Sequence, residues 1–299
     1  MKSKEKGILE RDYMRKKGEH NMKNIRKILA IAAVLVLTFS LLTACGGSDS
    51  SGGEAAGDKV IKVAASPTPH ARILEAARET LKEAGWELEV VECLDYVTPN
   101  EFTSSGEVDA NYFQHVPYLE QYNEENGTDL VAVGNMHYEK MAIYAGTKTS
   151  LDEIAEGDQI GVPNDATNEA RALKVLAENG IITLKEGSDE LATEADIQDY
   201  PKGKVEIVPL EAATIPTQLP SLAFGVINAN YAMEADIMDK VVAIEGTDQQ
   251  QEDTYVNIIV VNAENKDSEK TKALVDALHS DAVKSFIEDE FNGVVVVKF

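Results

Sequence analysis

The sequence predicts an α/β protein built on a parallel sheet, and three observations carry that reading. Val60–Ala65 is a short β-branched run, Ala71–Ala84 places Ile73, Leu74, Ala77 and Leu81 at helical spacing, and Trp86–Glu92 alternates again. A strand–helix–strand unit of this kind needs parallel strands. A second strand and helix follow at Gln159–Val162 and Asn164–Asn179, as though a second αβ unit begins. With 299 residues, 43% of them hydrophobic, the chain can bury one large core or two lobes of roughly 100 to 130 residues each.

The front of the chain is a separate, basic element. Of 28 basic and 52 acidic residues, ten and four fall in residues 1–44, so the remainder carries 18 and 48, a net charge of −30. Such acidity argues against nucleic acid, whose phosphates need Lys and Arg. Lys23, Arg26 and Lys27 precede an apolar run from Ile28 to Leu42, and Leu42–Cys45 reads LTAC. This is a signal peptide over residues 1–44 that ends in a lipobox, after which Cys45 carries lipid; the apolar run is short for a membrane span. Met22 heads a signal of ordinary length, so Met1–Asn21 is set aside. Residues 45–58, rich in Gly, Ser and Ala, read as a lipidated flexible tether. With Cys45 lipidated, the other cysteine, Cys93, has no partner and reads as a small buried hydrophobe.

Taken in order, the mature chain alternates strands and helices. Asp95–His115 holds a loop and a short helix that lead into a strand. Within it, Val108–His115 read as extended puts Asn111, Phe113 and His115 on one face and Tyr112 and Gln114 on the other. An amide, a ring and an imidazole suit the lining of a small-ligand pocket. Pro117 stops the strand, and Glu120–Thr128 reads as a short helix and turn. Val131–Val133 and Lys140–Ala145 are extended, the second a candidate crossing between lobes.

The helix over Asn164–Asn179 has Asn164 and Asp165 as caps and an apolar stripe of Ala166, Ala170, Leu173 and Ala177. Asn168 and Arg171 fall on the opposite flank, toward solvent or a cleft, where a guanidinium near a helix N-terminus suits a carboxylate. Further on, Thr193–Asp199 reads as helix, Lys204–Val208 as strand, Ile215–Leu222 as helix and Phe224–Asn228 as strand. Asn228, Asn230 and Tyr231 sit at the strand's C-terminal end, where open α/β sheets bind ligands. Asn257 interrupts the apolar run YVNIIVVN, Ser268–Glu290 reads as one amphipathic helix, and VVVVKF closes the chain as a strand.

Enzyme chemistry finds little support: GxSxG, HExxH, Walker and GxGxxG motifs are all absent, and no enzymatic activity or cofactor is expected. His70, His115 and His137 with a carboxylate could assemble a transition-metal site, which makes a metal-binding lipoprotein of an ABC importer the alternative reading.

Six blocks, DYVTPNEF, GEVDANYFQHVPYL, VPNDATNEARAL, LEAATIPTQL, VINANYA and YVNIIVVN, resemble in order and spacing the methionine-binding lipoproteins of the NlpA/MetQ family. The resemblance spans about Val60 to Phe299. It implies a type II periplasmic-binding-protein fold of two α/β lobes joined by two crossing strands, lobe 1 from 59–143 plus 255–299 and lobe 2 from 144–254. It also implies a lipid-anchored capture protein on the extracytoplasmic face of the cell membrane. Its ligand would be methionine, the L-form, the D-form or a methionine-containing dipeptide, delivered to an ABC permease with a cytoplasmic ATPase. By position, Arg171 would clamp the carboxylate with Asn168 beside it, Asn228 and Asn257 would hold the head group, and Tyr96, Phe113, His115 and Tyr118 would surround the side chain. The chain departs from the family at Ala166, where Pro is common, and at Glu169, an extra anion near the carboxylate site.

Overall fold

The computed structural model describes residues 59–188, 191–246 and 249–299; the segments expected to form the signal peptide and tether, with Cys45, lie outside them. β1 (Val60–Ala65) leads through a turn at Pro67–Ala71 into α1 (Arg72–Glu83), then β2 (Glu87–Glu92), α2 (Thr98–Ser105), β3 (Ala110–His115), α3 (Val116–Asn126) and β4 (Leu130–Glu139). β5 (Ala142–Ala145), β6 (Gln159–Pro163) and α4 (Ala166–Glu178) follow. β7 (Thr183–Leu184) and β8 (Ile197–Asp199) pair as a small ribbon. Next come β9 (Glu206–Leu210), α5 (Ile215–Gln218), β10 (Phe224–Ile227), α6 (Ala229–Glu234), β11 (Val241–Ile244) and α7 (Gln249–Thr254). β12 (Asn257–Asn262), α8 (Glu269–Leu278), α9 (Asp281–Phe291) and β13 (Val295–Val297) complete the chain.

Two sheets result. The first has the order β13-β4-β12-β3-β1-β2 and the second β11-β5-β10-β6-β9. In the first, β2, β1 and β3 run parallel, whereas β12 runs antiparallel to both β3 and β4. The chain leaves this sheet between β4 and β5 and returns between β11 and β12, so residues 140–141 and 245–256 join the two halves.

Each sheet is covered on both faces. Ile73 and Leu74 of α1 pack with Leu274 of α8 and Ile287 of α9 on one face of the first, while Leu119 and Tyr122 of α3 meet Ile258 and Val260 on the other. The second sheet packs Leu173 and Leu176 of α4 on one face and Ile215, Leu219 and Tyr231 on the other. Sheets buried on both sides explain the near-continuous apolar runs of β10 and β12.

Several elements differ from the sequence reading, each for a local reason. Thr193–Asp199 is not a helix: one turn at Glu194–Asp196, closed by a Thr193–Asp196 capping box, passes directly into β8. Ile215–Leu222 breaks into α5 and a 3-10 turn because Pro220 removes a donor. Ser268–Glu290 is two helices: Ser280 stands in extended conformation and its hydroxyl caps Val283, which starts α9 afresh. α4 has no single apolar stripe. Ala166 is exposed, whereas Asn168 and Arg171 are as buried as Leu173, because α4 lies between its own sheet and the cleft.

The alternation expected along β3 also fails, and a bulge is the cause. Ile258 pairs with Gln114 but the next residue, Ile259, pairs with Tyr112, leaving Phe113 as the extra residue. Asn111 and Gln114 therefore share a side, joined at 2.9 Å, and both bond Asn100. Asn111 belongs to this buried amide network and not to the face of Phe113 and His115.

Candidate functional site

A narrow cavity lies between the two sheets, lined by thirteen residues. All eight residues singled out in the sequence line it: Tyr96, Phe113, His115, Tyr118, Asn168, Arg171, Asn228 and Asn257. β3 and β10 bring Phe113, His115 and Asn228 to their C-terminal ends, where loops and helix N-termini leave room for a ligand. The sequence reading placed Asn230 at a strand end where ligands bind but gave it no role, and missed Gln114, Glu139, Met141 and Ala229. Glu139 carried no signal, because His70 and Arg171, which meet it, come from distant segments.

One wall is aromatic. The rings of Tyr96, Phe113 and Tyr118 stand 5.7 to 5.9 Å apart, with Phe113 and Tyr118 edge to face. Pro117 helps to place Tyr118: its ring fixes the first turn of α3, and His115 caps that turn by accepting the Tyr118 N–H at Nδ1, 3.3 Å. That acceptor role sets the tautomer, so His115 donates from Nε2 to Asn168 Oδ1 at 3.3 Å across the cleft. Tyr96 makes a second bridge, donating to Asn230 Oδ1 at 2.6 Å.

The opposite wall is polar. Asn168 is fixed by Asp165, the α4 cap, which accepts its backbone N–H and its Nδ2. Asn168 Oδ1 also accepts Asn228 Nδ2 at 2.7 Å, and Asn228 Oδ1 is left buried without a partner among the described residues. Arg171 does not stand free. Its Nε and Nη2 bond both oxygens of Glu245 at 3.0 and 2.5 Å, and Nη2 also reaches the Glu139 carbonyl at 2.8 Å. The rings of Tyr255 and Tyr138 lie 4.2 and 5.7 Å from the guanidinium carbon. Burial opposes the charge of Arg171, but the Glu245 carboxylate outweighs it and holds the guanidinium above its usual range. Glu169 lies outside this cavity, on a separate hollow beside Asn164 and Thr193.

Behind Asn257 the wall holds a buried cluster. His70 Nε2 lies 2.9 Å from Asn257 Oδ1 and 3.4 Å from Glu139 Oε1, while His137 Nε2 lies 2.7 Å from the same carboxylate oxygen. The Tyr112 hydroxyl bonds His137 Nδ1. Burial pushes His70 down to about 4, against the pull of Glu139, and His137 to about 3. His115 falls to about 3 through burial, with Arg171 adding to it. Burial raises the Glu139 carboxyl. The trio of histidines proposed from the sequence is thus not assembled: His70 and His137 meet, whereas His115 faces α4. Cys93 is buried, its thiol pushed up to about 11 by burial.

Two α/β halves joined by two short crossings around a polar and aromatic cavity define the two-lobed fold of a periplasmic solute-binding protein, with the type II strand order β2-β1-β3-β12-β4. A profile of the NlpA lipoprotein family matches residues 61–299, and the chain belongs to that family. It is 39% identical to the methionine-binding lipoprotein MetQ of Bacillus subtilis, over 90% of this chain and 98% of that protein. A crystal structure of a Ruminococcus gnavus protein described as a lipoprotein is 55% identical, with a TM-score of 0.78 over 81% of this chain and 100% of that one. The substrate-binding protein of a methionine transporter from Streptococcus pneumoniae is 34% identical, with a TM-score of 0.75 over 81% and 96% of the respective chains.

Proposed function

We propose that this protein is a lipid-anchored receptor on the extracytoplasmic face of the cell membrane that captures methionine and hands it to an ABC importer. The observation that carries the reading is the polarity of the cavity. A buried acceptor without a partner, Asn228 Oδ1, and the Arg171 guanidinium stand at one side, and the Tyr96, Phe113 and Tyr118 rings at the other. An amino acid has this division: a zwitterionic head that needs a donor and acceptors, and a side chain. A thioether is apolar and polarisable and packs well on aromatic edges.

In this reading Arg171 meets the ligand carboxylate through Nη1 and not through its whole fork, since Glu245 takes the other edge. Asn228 and Asn257 receive the ammonium together with the Glu139 carboxylate, and His115 and Asn168 bridge the lobes over the bound molecule. The half built on the first sheet and the half built on the second, to which Ala142 and Ile143 belong, close about the two crossings, residues 140–141 and 245–256. Lipidation at Cys45 and delivery to a permease with a cytoplasmic ATPase follow from the lipobox and from the relatives' description as lipoproteins and transporter components.

Isothermal titration with L-methionine, after unfolding and refolding to remove any bound ligand, tests the reading. One site per chain is expected, with alanine binding the same site much more weakly. Absence of methionine binding by refolded protein with native circular dichroism would refute it.

A further inference from the structure

We propose that His70, His137 and Glu139 form a binding site for one divalent transition-metal ion of zinc-like chemistry, set in the wall of the cavity. All three side chains are buried, and one ligand atom from each lies within 4.8 Å of the others. His137 and Glu139 are two residues apart on β4, so they leave the strand on the same side. His70 arrives from the turn after β1, and both Nε2 atoms converge on Glu139 Oε1.

The donor set selects the ion. Two imidazole nitrogens and one carboxylate oxygen suit zinc and its neighbours, whereas calcium and magnesium prefer all-oxygen cages. Bonds of about 2.0 to 2.2 Å at tetrahedral angles place ligand atoms about 3.4 Å apart. The 3.4 Å from His70 to Glu139 already matches, the 2.7 Å from His137 must open by about 0.7 Å, and the two histidine nitrogens lie within 4.8 Å of each other. The Tyr112 hydroxyl on His137 Nδ1 fixes that ring so that Nε2 points at the carboxylate, the usual outer support of a metal-bound histidine. A fourth position opens toward Asn257, which lines the cavity, so an ion has a route in.

This site differs from the metal-importer alternative, because the ion lies in the wall and the cavity remains. It also stands whichever ligand fills the cavity. An ion there takes up the charge of Glu139 and draws on Asn257, so an amino acid in the cavity and the ion should weaken each other by the same factor.

Cobalt(II) is the probe: tag-free mature protein, stripped with EDTA, is titrated and the visible ligand-field bands of tetrahedral cobalt are followed. One equivalent is expected, displaced by zinc, with at least tenfold weaker binding in both His137→Phe and His70→Asn. Unchanged binding in both folded variants would place the ion elsewhere and overturn the proposal, as would no binding by the wild type. Should both variants misfold, wild-type crystals grown with zinc decide it by anomalous diffraction at the zinc edge: a peak among His70, His137 and Glu139 supports the site, and its absence there refutes it.

Discussion

Arg171 and Glu245, 74 residues apart in sequence, form a two-point buried ion pair that ties α4 to the return crossing. Glu245 also accepts the Tyr138 hydroxyl at 2.5 Å, the Met141 N–H at 2.7 Å and Gln251 Nε2 at 2.9 Å, so one carboxylate holds both crossings and the helix. Tyr255 lies against the guanidinium face, 4.2 Å from it. Arg171 is therefore a structural tie as well as a candidate ligand contact.

That double role gives the first prediction. Arg171→Ala should cost about 3 to 5 kcal/mol of methionine binding and a similar amount of fold stability, because Glu245 is left buried and unpaired. Arg171→Met combined with Glu245→Gln should recover most of the stability and none of the binding. Urea unfolding and calorimetric titration of both proteins separate the two effects. A double variant no more stable than the single one would show that the ion pair is not what the single change breaks.

Phe113→Ala should cost about 2 to 4 kcal/mol for methionine, the range for emptying an aromatic site, and less for alanine, whose side chain does not reach the ring. Titration with both ligands checks it. Equal losses would mean that Phe113 shapes the whole cavity and not its side-chain end.

The buried His115 makes stability depend on acid. Its folded pKa, about 3, is depressed from the usual 6.5, so between those values the unfolded chain takes up a proton that the folded chain refuses, and stability falls as pH falls through that window. Arg171 is the charged group acting on it; Asn168, Tyr118 and Tyr255, its other neighbours, are uncharged. Urea melts between pH 6 and 4 should show wild type losing about 1.4 kcal/mol per pH unit more than His115→Gln. Parallel slopes would contradict a neutral, buried imidazole.

Gly146 follows β5 where the backbone approaches closely: a Cβ there would lie 2.3 Å from the Leu222 carbonyl and 2.7 Å from that of Leu219. Gly146→Ala should destabilise by at least about 2 kcal/mol, since backbone atoms must shift to admit it. Thermal unfolding checks this, and an unchanged midpoint would rule out the close approach.

The sequence was most informative where a local pattern carries the placement. Phe113 and His115 could be assigned to a strand end because Pro117 follows them, and Asn228 because an apolar strand stops there. The same period-two argument failed at Asn111, since a bulge depends on the partner strand β12 and leaves no mark on β3 itself. Glu139 and Glu245 could not be read at all. Apart from His137 and Gln251, which are close in sequence, their partners lie 32 to 107 residues away, and an acidic residue looks alike on a surface or under a guanidinium until the two halves are assembled. The break at Ser280 was hidden for the opposite reason: the helical pattern on both sides is so regular that one capping hydroxyl is easily passed over.

A cavity built for methionine should retain it through purification, and native mass spectrometry of the protein as purified should show a folded species heavier than the chain by the mass of one methionine, which is lost on collisional activation. A co-purifying mass matching a different small molecule, or an empty cavity that stays empty when L-methionine is added, would contradict it.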